Sequence, residues 1–142
     1  MKSKLYFFVL LAVIFFGFMS CDRDEVSKVT SPTRSEIVGK TMRGVSTYFE
    51  FTAKESTWSV KLPELANMKF DTSAKGSISY TKIGETTARM TWTVYVLDIA
   101  NEQHEMKGDV TLTFTSPYGG TVDGLEKSYG GTFSQTGTFE LY

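Results

Sequence analysis

Ala88-Arg-Met-Thr-Trp-Thr-Val-Tyr-Val96 alternates apolar and polar side chains without a break. In an extended strand neighbouring side chains point to opposite faces. Ala88, Met90, Trp92, Val94 and Val96 therefore share one face, and Arg89, Thr91, Thr93 and Tyr95 the other. The same period runs outward in both directions. Before it, Phe49 and Phe51 alternate with Tyr48, Glu50 and Thr52, and Trp58, Val60 and Leu62 alternate with Thr57, Ser59 and Lys61 up to Pro63. Met68 and Phe70 mark another short strand, a polar turn covers Asp71 to Gly76, and Ile78 and Tyr80 lead to a turn near Gly84. Glu64 to Asn67 has room for one helical turn.

After it, Asn101-Glu-Gln-His-Glu105 reads as a polar loop, and Val110, Leu112 and Phe114 alternate with threonines. Pro117-Tyr-Gly-Gly120 turns the chain, Val122 begins a short strand, and Tyr129–Gln135 and Thr138–Tyr142 close it. This makes roughly seven to nine strands with short links. Parallel pairing needs crossovers of about a dozen residues or more, and none is present. The expected fold is all-β, an antiparallel meander forming a small up-and-down barrel in preference to a sandwich, because closure removes exposed edges. The final strand near Phe139 is expected to pair back to the strand near Val45.

Upstream of the meander the character of the chain changes. Lys2 and Lys4 precede an apolar run from Leu5 to Met19, followed by Ser20 and the single cysteine, Cys21. The run is short for a membrane-spanning helix, which takes about 20 apolar residues, and its flanks are those of a cleaved export signal. Phe18-Met-Ser-Cys21 resembles the lipobox of bacterial lipoproteins. The resemblance implies cleavage before Cys21, acylation of its thiol and a bacterial cell-envelope address, with the outer membrane or cell surface favoured. Asp22-Arg-Asp-Glu25 resembles the export tag of surface lipoproteins, while an aspartate directly after the cysteine accompanies inner-membrane retention in other lineages, so the leaflet stays open. The expected organisation is a signal at 1–20, a flexible lipidated tether at 21–36 and one β domain at 37–142. Fully extended, the tether would reach roughly 50 Å.

Loss of the signal removes two lysines and no acid from a chain holding 15 basic and 16 acidic side chains, so the remainder is mildly acidic. No basic stripe for nucleic acid exists. The segments Tyr80-Thr-Lys-Ile-Gly84, Thr87-Ala-Arg-Met90, Leu112-Thr-Phe-Thr-Ser116 and Gly137-Thr-Phe-Glu-Leu141 resemble a β-rich unit of extracellular bacterial proteins, and Ile37-Val-Gly-Lys40 resembles the start of lipocalin-like small lipoproteins. Neither resemblance brings catalytic residues.

His104 is the sole histidine, with Glu102, Glu105 and Asp109 nearby in sequence. Zinc sites take several His or Cys ligands, so the expectation is a solvated loop with no metal and no cofactor. No Gly-x-Ser-x-Gly elbow is present, and Glu50 and Glu140 are the acids placed within strands, both outward. A non-catalytic protein is therefore expected. Trp58, Trp92, Tyr48 and Tyr95 are the candidate ligand-binding residues: the tryptophans in the apolar register, as core or as cavity lining, and the tyrosines on the outer face. The expected partners are the membrane through the lipid anchor, and either a small apolar or sugar ligand or another envelope protein. The alternative is a structural or assembly protein with a solid core.

Overall fold

The computed structural model describes residues 28–62 and 67–142. The expected export signal, Cys21 and residues 64–66 of the expected Glu64–Asn67 turn lie outside the described residues. Nine strands are present: β1 (Thr41–Arg43), β2 (Glu50–Ala53), β3 (Trp58–Lys61), β4 (Lys69–Phe70), β5 (Ser77–Lys82), β6 (Thr87–Leu97), β7 (Gln103–Ser116), β8 (Gly119–Ser128) and β9 (Gly131–Leu141). They form one antiparallel sheet in the order β3-β2-β1-β9-β8-β7-β6-β4, with β5 also on β6. A single continuous sheet excludes a sandwich. It is curled into a half-barrel, consistent with an up-and-down barrel of the lipocalin-like type. Closure runs through β9 and β1, where Met42 faces Leu141 and Arg43 faces Glu140.

The alternation that defines the strands also fills the interior. Ala88, Met90, Trp92, Val94 and Val96 of β6 are buried, and Val110, Leu112 and Phe114 of β7 meet them from the next strand. Phe51 lies 5.1 Å from Trp92 and Phe114 lies 5.0 Å from Phe139, ring centre to ring centre. Each such side chain contributes about 1.5–3 kcal/mol by leaving water. Glycine makes room for the largest of them. Gly108 faces Trp92 across the ladder, and a Cβ there would lie 2.0 Å from the indole.

Several expectations are corrected. β8 spans ten residues, not a short stretch at Val122, and β9 is one strand of eleven. β7 begins at Gln103, so His104 and Glu105 belong to a strand and the loop is Asp98–Glu102. Glu105, Asp109, Asp123 and Glu126 join Glu50 and Glu140 as acids within strands. Glu126 points inward.

Lys28–Glu36, expected to belong to the flexible tether, is laced across one end of the half-barrel. Ser31 is fully buried. Its amide donates to the Glu85 carbonyl at 2.7 Å, and its hydroxyl lies 3.0, 3.2 and 3.1 Å from the carbonyl oxygens of Gly84, Glu85 and Thr87. The Tyr80 hydroxyl donates to the Pro32 carbonyl at 2.9 Å. Arg34 then reaches the opposite side, donating to the carbonyls of Lys54 at 2.6 Å and Thr57 at 2.9 Å. The strap thus joins the β5–β6 turn to the β2–β3 turn. Composition and polarity could not reveal this, because its hydrogen bonds go to backbone carbonyls that any sequence supplies.

Candidate functional site

The sheet path ends at β3 on one side and at β4 and β5 on the other. Between these edges the half-barrel has an open seam. Trp58 and Val60 of β3 occupy the inward register yet stay only half-buried, because no strand covers them from the seam side. Phe70 and Ile78 on the facing edge are half-buried for the same reason.

The facing edge is interrupted. The Asp71 amide still donates to the Tyr95 carbonyl at 2.9 Å, and Ser77 sits opposite Thr93. Six residue steps on this edge therefore face two on β6, so Thr72–Gly76 bulges out of the ladder. Asp71 shapes the bulge: its Oδ1 accepts from the Ser73 amide at 2.9 Å and hydroxyl at 2.6 Å, and its Oδ2 accepts from Gln103 Nε2. Those bonds, led by the Ser73 hydroxyl, hold the carboxyl below the usual aspartate range.

A cleft of about 580 Å³ follows the seam. Trp58, Val60, Phe70 and Ile78 form its apolar walls, Tyr95 borders it from the outer register of β6, and Asp71, Lys75, Ser77 and Thr93 are among its polar groups. Arg34 lies 4.4 Å over the Trp58 ring and fastens that side of the cleft to the strap. An apolar concavity with a few placed polar groups is the usual form of a small-ligand site.

The predicted binding residues part company here. Trp58 and Tyr95 line the cleft. Tyr95 also donates from its hydroxyl to Glu105 Oε1 at 3.2 Å. Trp92 is 2% exposed and packs in the interior against Phe51. Tyr48, expected on the outer face, is half-buried against the core near Phe133 (6.4 Å) and Phe49 (6.4 Å), since its loop folds over the far end of the half-barrel. Cys21 lies outside the described residues. Phe70 and Ile78 were legible as inward residues, but nothing in their spacing showed that they face a seam. Arg34 was missed because it sits in a stretch with no period.

In place of the expected solvated loop, His104 lies near Glu102 and Asp98, with oxygen and nitrogen atoms of the three within 4.8 Å. Glu105 and Asp109 turn to the outer face and pair with Lys107 and Arg89. Two of the three, Asp98 and His104, are already engaged within the hairpin. Asp98 Oδ1 accepts from the amides of Ala100 (2.8 Å) and Glu102 (2.9 Å), His104 Nε2 lies 3.0 Å from Asp98 Oδ2, and Tyr129 meets the imidazole edge-on at 4.2 Å. This fastens the β6–β7 hairpin.

The His104 hydrogen bond, followed by the Glu102 amide, lowers the Asp98 pKa. A carboxyl depressed in the folded state stabilises it above the unfolded value, roughly 3.9 for aspartate, and loses that contribution as pH falls toward the folded value. Asp71 has the same sign. The melting temperature is therefore expected to fall below about pH 4, and to fall less steeply in the Asp98→Asn and Asp71→Asn variants. Thermal melts across that window check this; a level melting temperature would contradict it.

Comparison with known families, curated proteins and solved structures finds no match.

Proposed function

We propose that this chain is a lipid-anchored protein of the bacterial cell envelope whose β domain binds a small apolar or sugar-like ligand without transforming it. The observation that carries the binding reading is the seam cleft, which Trp58, Val60, Phe70 and Ile78 line. The lipobox-like Phe18-Met-Ser-Cys21 supports the anchor. Trp92, Phe51, Phe114 and Phe139 occupy the barrel axis, so a ligand would sit in the seam and not in the interior. An apolar chain would lie along Phe70 and Ile78; a sugar ring would stack on an aromatic wall and meet Thr93, Ser77 or Asp71.

Titration with oleic acid and, separately, with a linear glucan oligosaccharide tests the proposal through Trp58 emission. One of the two probes should give a saturable change. Phe70→Ala should weaken binding of that probe about tenfold, a loss of about 1.4 kcal/mol, with the far-ultraviolet circular dichroism unchanged. No saturable response to either probe sinks the binding reading.

The filled interior favours a second reading, an assembly protein whose cleft is only a consequence of an unclosed sheet. Recovery of one stoichiometric envelope protein with the solubilised chain, with neither probe bound, would establish it.

A further inference from the structure

We propose that the strapped end of the half-barrel, tipped by Ile83, Tyr118 and Tyr142, lies directly on the lipid bilayer. The proposal rests on the lipid-anchor reading. The chain enters the domain at this end, where the strap is fixed by the buried Ser31 and by Tyr80, Lys82 and Arg34. Only seven residue steps separate Lys28 from Cys21. At no more than about 3.3–3.6 Å each, they reach about 25 Å, half of what a tether ending at Glu36 would span.

The opposite end of the molecule is too far away to take this place. The fourteen residues of β7 run the length of the sheet. At roughly 3.3 Å per residue that is about 45 Å along the strand, and less along a tilted barrel axis. Even at a strand tilt of about 35–45° the far end stays more than about 30 Å away, beyond the roughly 25 Å that a fully extended linker from an acyl anchor at Cys21 could reach.

The near end also has the right surface. Ile83 is 55%, Tyr118 69% and Tyr142 54% exposed, each at the tip of a turn or at the chain end. Their positions are stitched together by main-chain hydrogen bonds: Phe114 amide to Thr86 carbonyl at 2.8 Å, Leu141 amide to Tyr118 carbonyl at 2.7 Å, and Thr41 amide to Tyr142 carbonyl at 2.7 Å. An isoleucine and two tyrosines on a rigid rim match the apolar-to-polar gradient at a membrane interface, where tyrosine is enriched. Charge on this rim is mixed, with Lys28 paired to Glu85 and Arg43 held by Tyr142. Contact is therefore expected on zwitterionic as well as anionic lipid. In this orientation the Ser56–Trp58 end of the cleft borders the membrane and the Phe70–Asp71 end faces away from it.

The test uses the full chain in membranes with thiols introduced singly, Ile83→Cys and Tyr118→Cys at the rim, Ile99→Cys and Tyr129→Cys at the far end. Ile99 and Tyr129 are themselves exposed, so labelling is even at the start. Each thiol carries an environment-sensitive fluorophore, and vesicles of phosphatidylcholine with brominated acyl chains act as quencher. Rim probes should be blue-shifted and quenched several-fold more than far-end probes. Equal quenching, or quenching of the far end alone, overturns the proposal. A rim shielded from aqueous thiol reagents but not quenched identifies a protein partner and overturns the lipid assignment. Fractionation separates the two levels: chain found in the soluble fraction sinks the anchor and the orientation together, whereas membrane-bound chain with unquenched rim probes sinks the orientation alone.

Discussion

Glu126→Ala is expected to lower the unfolding free energy by about 2–6 kcal/mol, about 1–3 for each of the two hydrogen-bond donors it leaves without an acceptor. Glu126 is 0% exposed, inside the half-barrel on β8. Its Oε1 accepts from the Ser46 hydroxyl, and its Oε2 accepts from the Thr47 amide at 2.9 Å. The Ser46 oxygen in turn accepts from the amides of Tyr48 at 3.1 Å and Phe49 at 3.2 Å. One carboxylate therefore organises the whole β1–β2 loop as a plug on the far end. Alanine would leave the buried Ser46 hydroxyl and the part-buried Thr47 amide without their acceptor, and each unmade bond away from water costs about 1–3 kcal/mol. Glu126→Gln keeps the shape and one acceptor, so its loss should be about half as large. Urea denaturation gives both values, and amide exchange at Thr47 to Phe49 should quicken in each variant. A loss below about 1 kcal/mol for alanine would show that the loop holds itself, against the desolvation argument.

Gly108→Ala should be nearly as damaging, at about 3 kcal/mol, the upper part of the range for overpacking a core. The new methyl would lie 2.0 Å from Trp92 Cζ2 and 2.2 Å from its Cε2 and Cη2, and the indole is backed by Phe51 at 5.1 Å. A rigid bicyclic ring cannot bend away as a flexible chain would. The check is a double-mutant cycle. Trp92→Leu opens the space, so the combined variant should be more stable than the sum of the single losses allows, with a coupling of about 1–2 kcal/mol. Strict additivity would show that the methyl is accommodated by backbone movement and not by the indole. Should Gly108→Ala not fold, Gly108→Ala with Trp92→Leu still folding makes the same point.

These two positions also show how far the sequence could be read. The inward register of Trp92 is plain from the alternation between Ala88 and Val96, and the partner strand is plain from Val110, Leu112 and Phe114. That Gly108 is the residue beneath the indole is a matter of pairing register, which period alone leaves undefined. Glu126 was hidden for a related reason. Gly119, Gly120 and Gly124 thin out the apolar signal of β8, so its period fades soon after Val122 although the strand runs to Ser128. Extended at the same period, Val122, Gly124 and Glu126 share one face, and a charged residue on an apolar face is the mark of a satisfied interior group. The loop assignment of His104 failed at a boundary, since Gln103 and Glu105 are polar in a strand whose outer face meets water.

The all-β class, the antiparallel meander and most of the interior residues were legible in the chain itself. Those properties follow from side-chain period and link length, which are local. Tertiary structure alone decided that the sheet stops short of full closure between β3 and β5, that Trp58 and Tyr95 border the resulting cleft while Trp92 does not, and that Lys28–Glu36 is a strap instead of free chain. The physical reason is the same in each case. Closure, clefts and straps depend on which backbone groups find partners far away in the chain, and a backbone carbonyl carries no mark in the sequence of the donor that will reach it.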